Sequence, residues 1–256
     1  MATLTQEVAD GVLTLTINRP DRENRIDRTT GQLLQQALEA ARVDLAVRAV
    51  VLTASGDVFC LGGEIDGFPT GSPVQYLGFA RAFADVAVAM SRLGKPLIAA
   101  VNGDALAGGF SLLAGCDLAI AAEDARFGLP ELDYGLFPLL ALASTRELLP
   151  PKLLFEIIYE ARLLSAAEAQ ALHLVNRIVP RDRVLAEATD VARKIAARSG
   201  VAISVGRDAY YAMRGMSPQA ALEHARFALA TMLSTEDGKE AGRAKRDQRK
   251  PAFQGL

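Results

Sequence analysis

The first half of the chain alternates between short apolar segments and longer helical patterns. Residues 11–18 carry an apolar side chain at every second position, which is the period of a β-strand. Residues 49–53 and 96–101 are apolar almost throughout, as expected for strands that helices cover on both faces of a sheet. Helical spacing begins at Thr30, the expected N-cap, and returns over residues 74–92. The pattern predicts an α/β fold in which strand, strand and helix recur.

The second half of the chain is mostly helical. Residues 165–168 (SAAE) form a capping-box pattern that predicts the start of a helix, and residues 175–179 predict one short strand. Three further helical patterns follow, over residues 181–198, 201–214 and 218–233, the last with Ser217 as its N-cap. Because no proline-rich or low-complexity linker interrupts the sequence, we expect a core over residues 1–195 and a helical region over residues 196–256.

The composition narrows the function classes. Of 256 residues, 50% are hydrophobic and 23% are charged, which is typical of a folded globular protein. A net charge of -2 argues against nucleic acid or an anionic membrane as the main partner. Two cysteines and two histidines are too few for a disulfide framework or a histidine-based zinc site. With no apolar run long enough for a membrane span and no signal sequence visible, we expect a cytoplasmic protein without a metal.

Two glycine pairs follow predicted strands. The first lies in residues 59–64 (FCLGGE), and the second is Gly108-Gly109, where a strand passes into an apolar helix. Glycine lets a backbone amide approach a ligand without a Cβ in the way, and amides at the start of a helix lack intrahelical partners. Two such amides from different loops are able to stabilise an oxyanion together. When each pair is taken alone, close packing of helix on strand is the favoured explanation.

A third segment places a carboxylate beside apolar residues. Residues 127–131 (FGLPE) follow a strand and end in Glu131, between Pro130 and Leu132. Partial removal from water raises the pKa of a carboxyl group and makes the carboxylate a better base near neutral pH. The pattern is also compatible with an acid on a surface turn.

The segments occur in an order that resembles the enoyl-CoA hydratase/isomerase, or crotonase, family over nearly the whole chain. They are residues 18–20 (NRP), 59–64 (FCLGGE), 96–103 (PLIAAVNG), 107–109 (AGG), 127–131 (FGLPE), 178–180 (IVP) and 248–253 (QRKPAF). The resemblance implies a spiral of ββα turns with a helical C-terminal trimerisation region, assembled as a homotrimer or a dimer of trimers. It also implies an acyl-CoA thioester as substrate, with coenzyme A as part of that substrate and no separate cofactor.

The resemblance assigns roles to individual residues. The thioester carbonyl would lie between the backbone amides of Gly63 and Gly108, and Ser111 and Glu131 occupy the two positions at which hydratases carry glutamates. Substrate-contacting positions would be Cys60, Leu61, Gly62, Ile65 and Leu139. The chain departs from the hydratases at Ser111. A serine hydroxyl is not basic near pH 7, so it does not replace a glutamate as a base.

The serine at position 111 favours one reaction over the others that the family catalyses. A single carboxylate suits the transfer of one proton from C2 to C4 of a 3-enoyl thioester, so we predict Δ3–Δ2 enoyl-CoA isomerisation with Glu131 as the proton shuttle. Leu139 stands where dienoyl isomerases and aryl-CoA dehalogenases carry an aspartate, which disfavours those two activities. The alternatives are a 2-enoyl-CoA hydratase in which Ser111 helps to hold the water, and a non-catalytic acyl-CoA-binding trimer. Thioester hydrolysis and decarboxylation also remain open within the family.

Overall fold

A computed structural model describes residues 2–64 and 71–255. The strands in this part of the chain are β1 Leu4–Ala9, β2 Val12–Ile17, β3 Ala49–Ala54, β4 Val58–Cys60, β5 Leu97–Val101, β6 Asp104–Leu106, β7 Leu118–Ala122, β8 Arg126–Gly128, β9 Leu164–Ser165 and β10 Arg177–Val179. The α-helices are α1 Arg28–Val43, α2 Pro73–Ser91, α3 Gly108–Ala114, α4 Leu139–Thr145, α5 Pro151–Tyr159, α6 Ala166–Ala171, α7 Val184–Ala196, α8 Gly200–Met213, α9 Pro218–Ser234 and α10 Glu236–Arg246.

The larger sheet has six strands in the order β1-β2-β3-β5-β7-β10. Strand β1 is antiparallel to β2, and every other neighbouring pair is parallel. Every residue of β3 and β5 is buried, as their continuous apolar sequences predict, and α7 packs against β3, β5 and β7. The apolar side chains of this sheet and of the helices packed on it form the core of the protein.

The smaller sheet brings three short strands side by side. Its order is β4-β6-β8-β9, and β4, β6 and β8 run parallel to one another. Each turn of the chain gives one strand to each sheet: β3 leads to β4, β5 to β6, and β7 to β8. The expected spiral of ββα turns is therefore confirmed. Because parallel neighbours end at the same edge of a sheet, the segments after β4, β6 and β8 lie close together.

Several local boundaries differ from the sequence prediction. Helix α1 begins at Arg28, and its N-cap is Asp27, whose side chain accepts a hydrogen bond of 2.7 Å from the Thr30 amide. The prediction of Thr30 as the cap is therefore wrong, since Thr30 lies inside the first turn and is buried. Sequence patterns also do not predict the short strands β4, β6 and β8, because three residues carry too little periodicity to identify a strand.

The C-terminal helices begin where their capping residues predict. Ser165 forms the complete capping box of α6, and the Ser217 side chain accepts a hydrogen bond from the Ala220 amide at the start of α9. Arg207 of α8 ties this region to the core, since its guanidinium pairs with Asp117 at 2.9 Å and donates a hydrogen bond of 2.7 Å to the Met90 carbonyl oxygen. Within the described ranges, no helix is long and apolar enough to span a membrane.

Candidate active site

A cavity of about 620 Å3 opens at the edge where β4, β6 and β8 end. Most of its lining is apolar, which lowers the local dielectric and strengthens any polar interaction inside it. Six of the residues predicted to form the site lie on its wall: Leu61, Gly63, Gly108, Ser111, Glu131 and Leu139. The topology thus gathers residues that lie up to 78 positions apart in the sequence, from Leu61 to Leu139, into one pocket.

Two glycine-containing loops meet along one side of this cavity. A Cβ added to Gly62 would lie 3.2 Å from the Gly108 nitrogen, and one added to Gly109 would lie 2.0 Å from the Cys60 carbonyl oxygen. Close packing therefore does explain the glycine pairs. Within residues 2–64 and 71–255, the amides of Gly63 and Gly108 donate no hydrogen bond, so both are available to a ligand. The same contact between the two loops requires glycine at these positions and, among the described residues, leaves two backbone amides without a partner.

A strained residue sets the start of α3. Ala107 has φ +52° and ψ −121°, a region that residues with a Cβ seldom adopt. Its amide donates a hydrogen bond of 2.9 Å to the Gly128 carbonyl oxygen, which ties the loop after β6 to the end of β8. Gly108 follows directly as the first residue of α3. The strained residue Ala107 thus lies directly before Gly108, whose amide is the second one without a partner in the described part of the chain.

The loop after β4 is supported by a segment that sequence reasoning missed. The Ile26 amide donates to the Gly62 carbonyl oxygen at 2.8 Å, and the Arg25 guanidinium donates to the Leu61 carbonyl oxygen at 3.0 Å. The buried side chain of Asn24 donates to the Val58 carbonyl oxygen at 2.7 Å. No sequence pattern links residues 24–26 to residues 58–62, because these contacts join an irregular loop to a three-residue strand and the loop after it.

Glu131 lies on a 3-10 turn, Pro130–Tyr134, directly after β8. Its Oε2 atom is shielded from solvent and has no hydrogen-bond partner within the described residues. Burial raises the pKa of the Glu131 carboxyl group to about 7. The predicted desolvated acid is therefore present, and near neutral pH it is able both to accept and to release a proton.

Ser111 lies one turn into α3 and faces the same cavity. Its Oγ atom is 2.9 Å from the Oγ atom of Ser144 on α4, and Ser144 Oγ lies 3.3 Å from the Leu140 carbonyl oxygen. No sequence motif selects Ser144, since only the packing of α3 on α4 brings it to Ser111. The two hydroxyls form a neutral hydrogen-bonded pair at the position where hydratases would carry an acid.

Comparison with known proteins agrees with this arrangement. The family described as "Enoyl-CoA hydratase/isomerase" matches residues 7–255. The chain belongs to this family. It is 31% identical to the 2,3-dehydroadipyl-CoA hydratase of Escherichia coli over 95% of both chains, and 31% identical to the crotonyl-CoA hydratase of Syntrophomonas wolfei over 96% of both. The crystal structure of an enoyl-CoA hydratase from Mycobacterium smegmatis superposes with a TM-score of 0.95 at 32% identity, covering 99% of each chain.

Membership of the enoyl-CoA hydratase/isomerase family confirms the predicted fold and an enzymatic role. The reaction is a separate matter, because members of one family differ in the side chains that line their sites. In this chain the cavity wall carries a hydroxyl at Ser111 and a carboxylate at Glu131.

Three predicted substrate contacts are not on the described cavity wall. The Cys60 thiol is fully buried, and burial raises its pKa to about 12. Gly62 lies behind the lining, against Ala107 and Gly108. Ile65 lies outside the described residues. Cys60 and Gly62 therefore shape the glycine loops from behind, and direct contact of all three with substrate stays a prediction.

Aromatic side chains that sequence reasoning did not select complete the lining. Phe79 and Phe83 reach the cavity from α2, with their ring centroids 5.5 Å apart, and Phe137 reaches it from the segment before α4. Helical spacing does indicate that α2 has an apolar face. It does not distinguish side chains that fill the core from side chains that face a cavity, because both are apolar.

Proposed function

We propose that this protein is an enoyl-CoA isomerase that converts a 3-enoyl-CoA thioester into its 2-enoyl isomer, with Glu131 as the proton shuttle. One observation carries the proposal. Among the described residues that line the cavity, Glu131 is the only acid, and its buried Oε2 atom has no hydrogen-bond partner. A single carboxylate matches a reaction that removes one proton and returns it elsewhere on the same molecule.

The two glycine amides would stabilise the charge that develops during this reaction. With the thioester carbonyl oxygen between the nitrogens of Gly63 and Gly108, removal of a C2 proton places negative charge on that oxygen. Donors that are fixed in place before the reaction need no reorganisation, and losing one such donor in other enzymes costs about 10²–10³ in rate. The chemistry needs no cofactor, since coenzyme A arrives as part of the substrate.

The proton would travel through Glu131. The carboxylate takes a proton from C2, and the electron pair of that C–H bond delocalises over the carbons C2 to C4 and the thioester carbonyl. The protonated Glu131 then gives the proton to C4, so that the double bond moves from C3 to C2 with no net change in atoms. A pKa of about 7 makes both transfers accessible near neutral pH.

The hydroxyl pair supports isomerisation over hydration. Addition of water to a 2-enoyl thioester needs an oriented and activated water at C3 together with a proton for C2. The Ser111 hydroxyl is not a base near neutral pH and is already hydrogen bonded to Ser144 at 2.9 Å. One acid with one hydroxyl is therefore poorly equipped for both tasks.

A 2-enoyl-CoA hydratase is the second candidate. It is supported by the names of the relatives, several of which are hydratases, and by the position of Ser111 on the cavity wall. A hydroxyl pair is able to hold a water molecule by hydrogen bonds, even though it does not activate that water.

A product assay separates the two candidates. Purified protein is incubated with a 3-enoyl-CoA and, separately, with the 2-enoyl-CoA of the same length, and the products are identified by mass and chromatography. Isomerisation predicts rapid conversion of the first substrate and little addition of water to the second. Faster hydration of the 2-enoyl-CoA than isomerisation of the 3-enoyl-CoA would contradict the proposal.

Variants of Ser111 sharpen the same assay. Ser111→Ala removes the hydroxyl without adding charge, so isomerisation should persist while any hydration that depends on a water held at Ser111 is lost. Ser111→Glu supplies a second carboxylate and should create or increase hydration. If Ser111→Ala abolishes isomerisation in a folded protein, the hydroxyl pair takes part in the proton transfer and Glu131 does not act alone.

We further propose that residues 196–256 form the oligomerisation region of a homotrimer or a dimer of trimers, attached to a core formed by residues 1–195. The support comes from α9, in which no residue is buried. In the single chain, Leu222 is 72% exposed, Phe227 is 66% exposed and Leu233 is 58% exposed, which is unusual for large apolar side chains unless another surface covers them. Sedimentation of a stable monomer at micromolar concentration would contradict this proposal.

A further inference from the structure

The outer end of the Phe83 ring contacts both glycine loops of the site. A Cβ added to Gly108 would lie 2.6 Å from Phe83 Cε1. One added to Gly63 would lie 3.2 Å from Phe83 Cε2 and 2.3 Å from Phe79 Cζ, so Phe83 is the ring that lies against both glycines. The two edges of one ring therefore each lie against a different glycine. Phe83 also lines the cavity that holds Glu131.

From this contact we infer that Phe83 is a specificity-determining residue that excludes acyl-CoA thioesters with a substituent at C2. The inference rests on the proposed binding of a thioester between the amides of Gly63 and Gly108. It adds a substrate class, thioesters unbranched at C2, and a residue to which sequence reasoning assigns no role.

The position of the carbonyl explains the exclusion. A carbonyl oxygen that accepts from both amides lies about 2.9 Å from each nitrogen. The carbonyl carbon and C2 would lie one and two bonds further on, next to the ring end that lies against both glycines and lines the same cavity. An unbranched C2 carries only hydrogen toward the ring, whereas a methyl group there overlaps with ring atoms.

The ring is held in place by its neighbours. Phe83 packs against the hydrophobic core, and its ring lies 5.5 Å from that of Phe79 with a tilt of 57°. Both side chains belong to α2, whose N-terminus is fixed by Pro73 and by the Ser72 capping box. A bulky substrate must therefore displace a packed ring, and this weakens binding because the ring gives up van der Waals attraction to its neighbours.

The experiment compares two isomeric ligands that cannot react. Butyryl-CoA and isobutyryl-CoA contain the same atoms, and only the second is branched at C2. Their dissociation constants are measured by calorimetry for the wild type, for Phe83→Ala, for the smaller change Phe83→Leu, and for the control Phe137→Ala, which removes an aromatic ring from the segment before α4 rather than from α2. Circular dichroism confirms that each variant is folded.

We expect the wild type to bind butyryl-CoA at least about tenfold more tightly than isobutyryl-CoA, as is usual for one misplaced methyl group. Phe83→Ala and Phe83→Leu should reduce that ratio toward one, while Phe137→Ala should leave it unchanged. An unchanged ratio in folded Phe83 variants, or an equal reduction in Phe137→Ala, would overturn the inference.

Failure of the proposed reaction gives a different result. If the protein binds both thioesters but turns over no 3-enoyl-CoA, the isomerase proposal fails and the binding ratio still tests Phe83. If turnover occurs, the ratio of kcat/KM between an unbranched 3-enoyl-CoA and its 2-methyl derivative should fall in the Phe83 variants in parallel with the binding ratio.

Discussion

The two sides of the cavity are built in different ways. One side, called here the amide side, is the backbone of residues 60–63 and 107–109. The other, the side-chain side, carries Ser111, Glu131 and Leu139. On the amide side a Cβ at Gly109 would lie 2.0 Å from a backbone oxygen, so substitution there moves two loops. On the side-chain side the residues reach the cavity through their side chains, so a change there is able to leave the backbone in place.

Under the proposed function the two sides act on different parts of the substrate. The amide side would bind the thioester carbonyl, and the side-chain side would act on the acyl chain. The amide side depends on packing that tolerates few substitutions, and under the proposed function it would serve any reaction that passes through a thioester enolate. The side-chain side would supply the proton chemistry and the shape of the acyl site. Membership of the family therefore indicates the amide side, but it does not specify the reaction, which depends on the side chains.

The strongest test removes the acid from the side-chain side. Glu131→Gln should lower isomerase turnover by about a thousandfold, because an amide neither accepts nor returns the proton. Affinity for butyryl-CoA should stay close to that of the wild type, since the amide side is unchanged. Glu123→Gln, at an exposed glutamate, is the matched control. Turnover by Glu131→Gln equal to that of the wild type would show that another group carries the proton.

A second test disrupts the packing of the amide side and changes no titratable group. Gly109→Ala should lower turnover by about a hundredfold, comparable to the loss of one oxyanion donor, because its Cβ forces the loop of residues 60–63 away from α3. Gly242→Ala is the matched control, since nothing lies within 4 Å of the Cβ it adds. Steady-state kinetics and thermal unfolding are measured together. Normal activity in Gly109→Ala would contradict the close contact between the loops.

The pH dependence of turnover tests the state of the acid. Proton removal needs the carboxylate form of Glu131, and burial raises the pKa of that group to about 7. Between pH 8 and pH 6 the ionised fraction falls about tenfold, so kcat/KM should fall by about the same factor. A profile that is flat from pH 6 to pH 8 would indicate an ordinary carboxyl group in contact with water.

The smallest expected effect concerns stability. The pKa of Glu131 is higher in the folded chain than in the unfolded chain, so folding binds a proton and the wild type loses stability as the pH rises from about 4.5 to about 7. Glu131→Gln does not ionise and should gain about 1–2 kcal/mol relative to the wild type between pH 5 and pH 8, allowing for partial solvent screening. Urea unfolding at the two pH values measures this change, and a difference that stays constant with pH would contradict it.

The central strands of the larger sheet are predictable because they are long enough to show a pattern. Residues 49–53 and 96–101 are apolar almost throughout, and both form buried strands of the larger sheet. The three-residue strands β4, β6 and β8 escape prediction, although they are the strands that bring the site together. Strand β1 escapes it too, because it lies at the sheet edge and only Leu4 of its six residues is buried.

The site is predictable where chemistry depends on rare residue patterns. Adjacent glycines and a carboxylate between apolar residues mark two loops and Glu131, and the resemblance to the family selects Gly63 and Gly108 among the glycines. The structure places all three residues on one cavity. Contacts made by common residues in irregular loops carry no such signal. Ser144 contacts Ser111, and Phe83 lines the cavity, only through helix packing, which the order of the sequence does not reveal.

The most direct test of the central claim is a crystal structure with butyryl-CoA bound. The account predicts that the thioester oxygen lies within about 3 Å of the Gly63 and Gly108 nitrogens, and that Glu131 Oε2 approaches the hydrogens on C2. A carbonyl oxygen that meets neither amide, or a Glu131 carboxylate turned toward solvent while the ligand is bound, would contradict it.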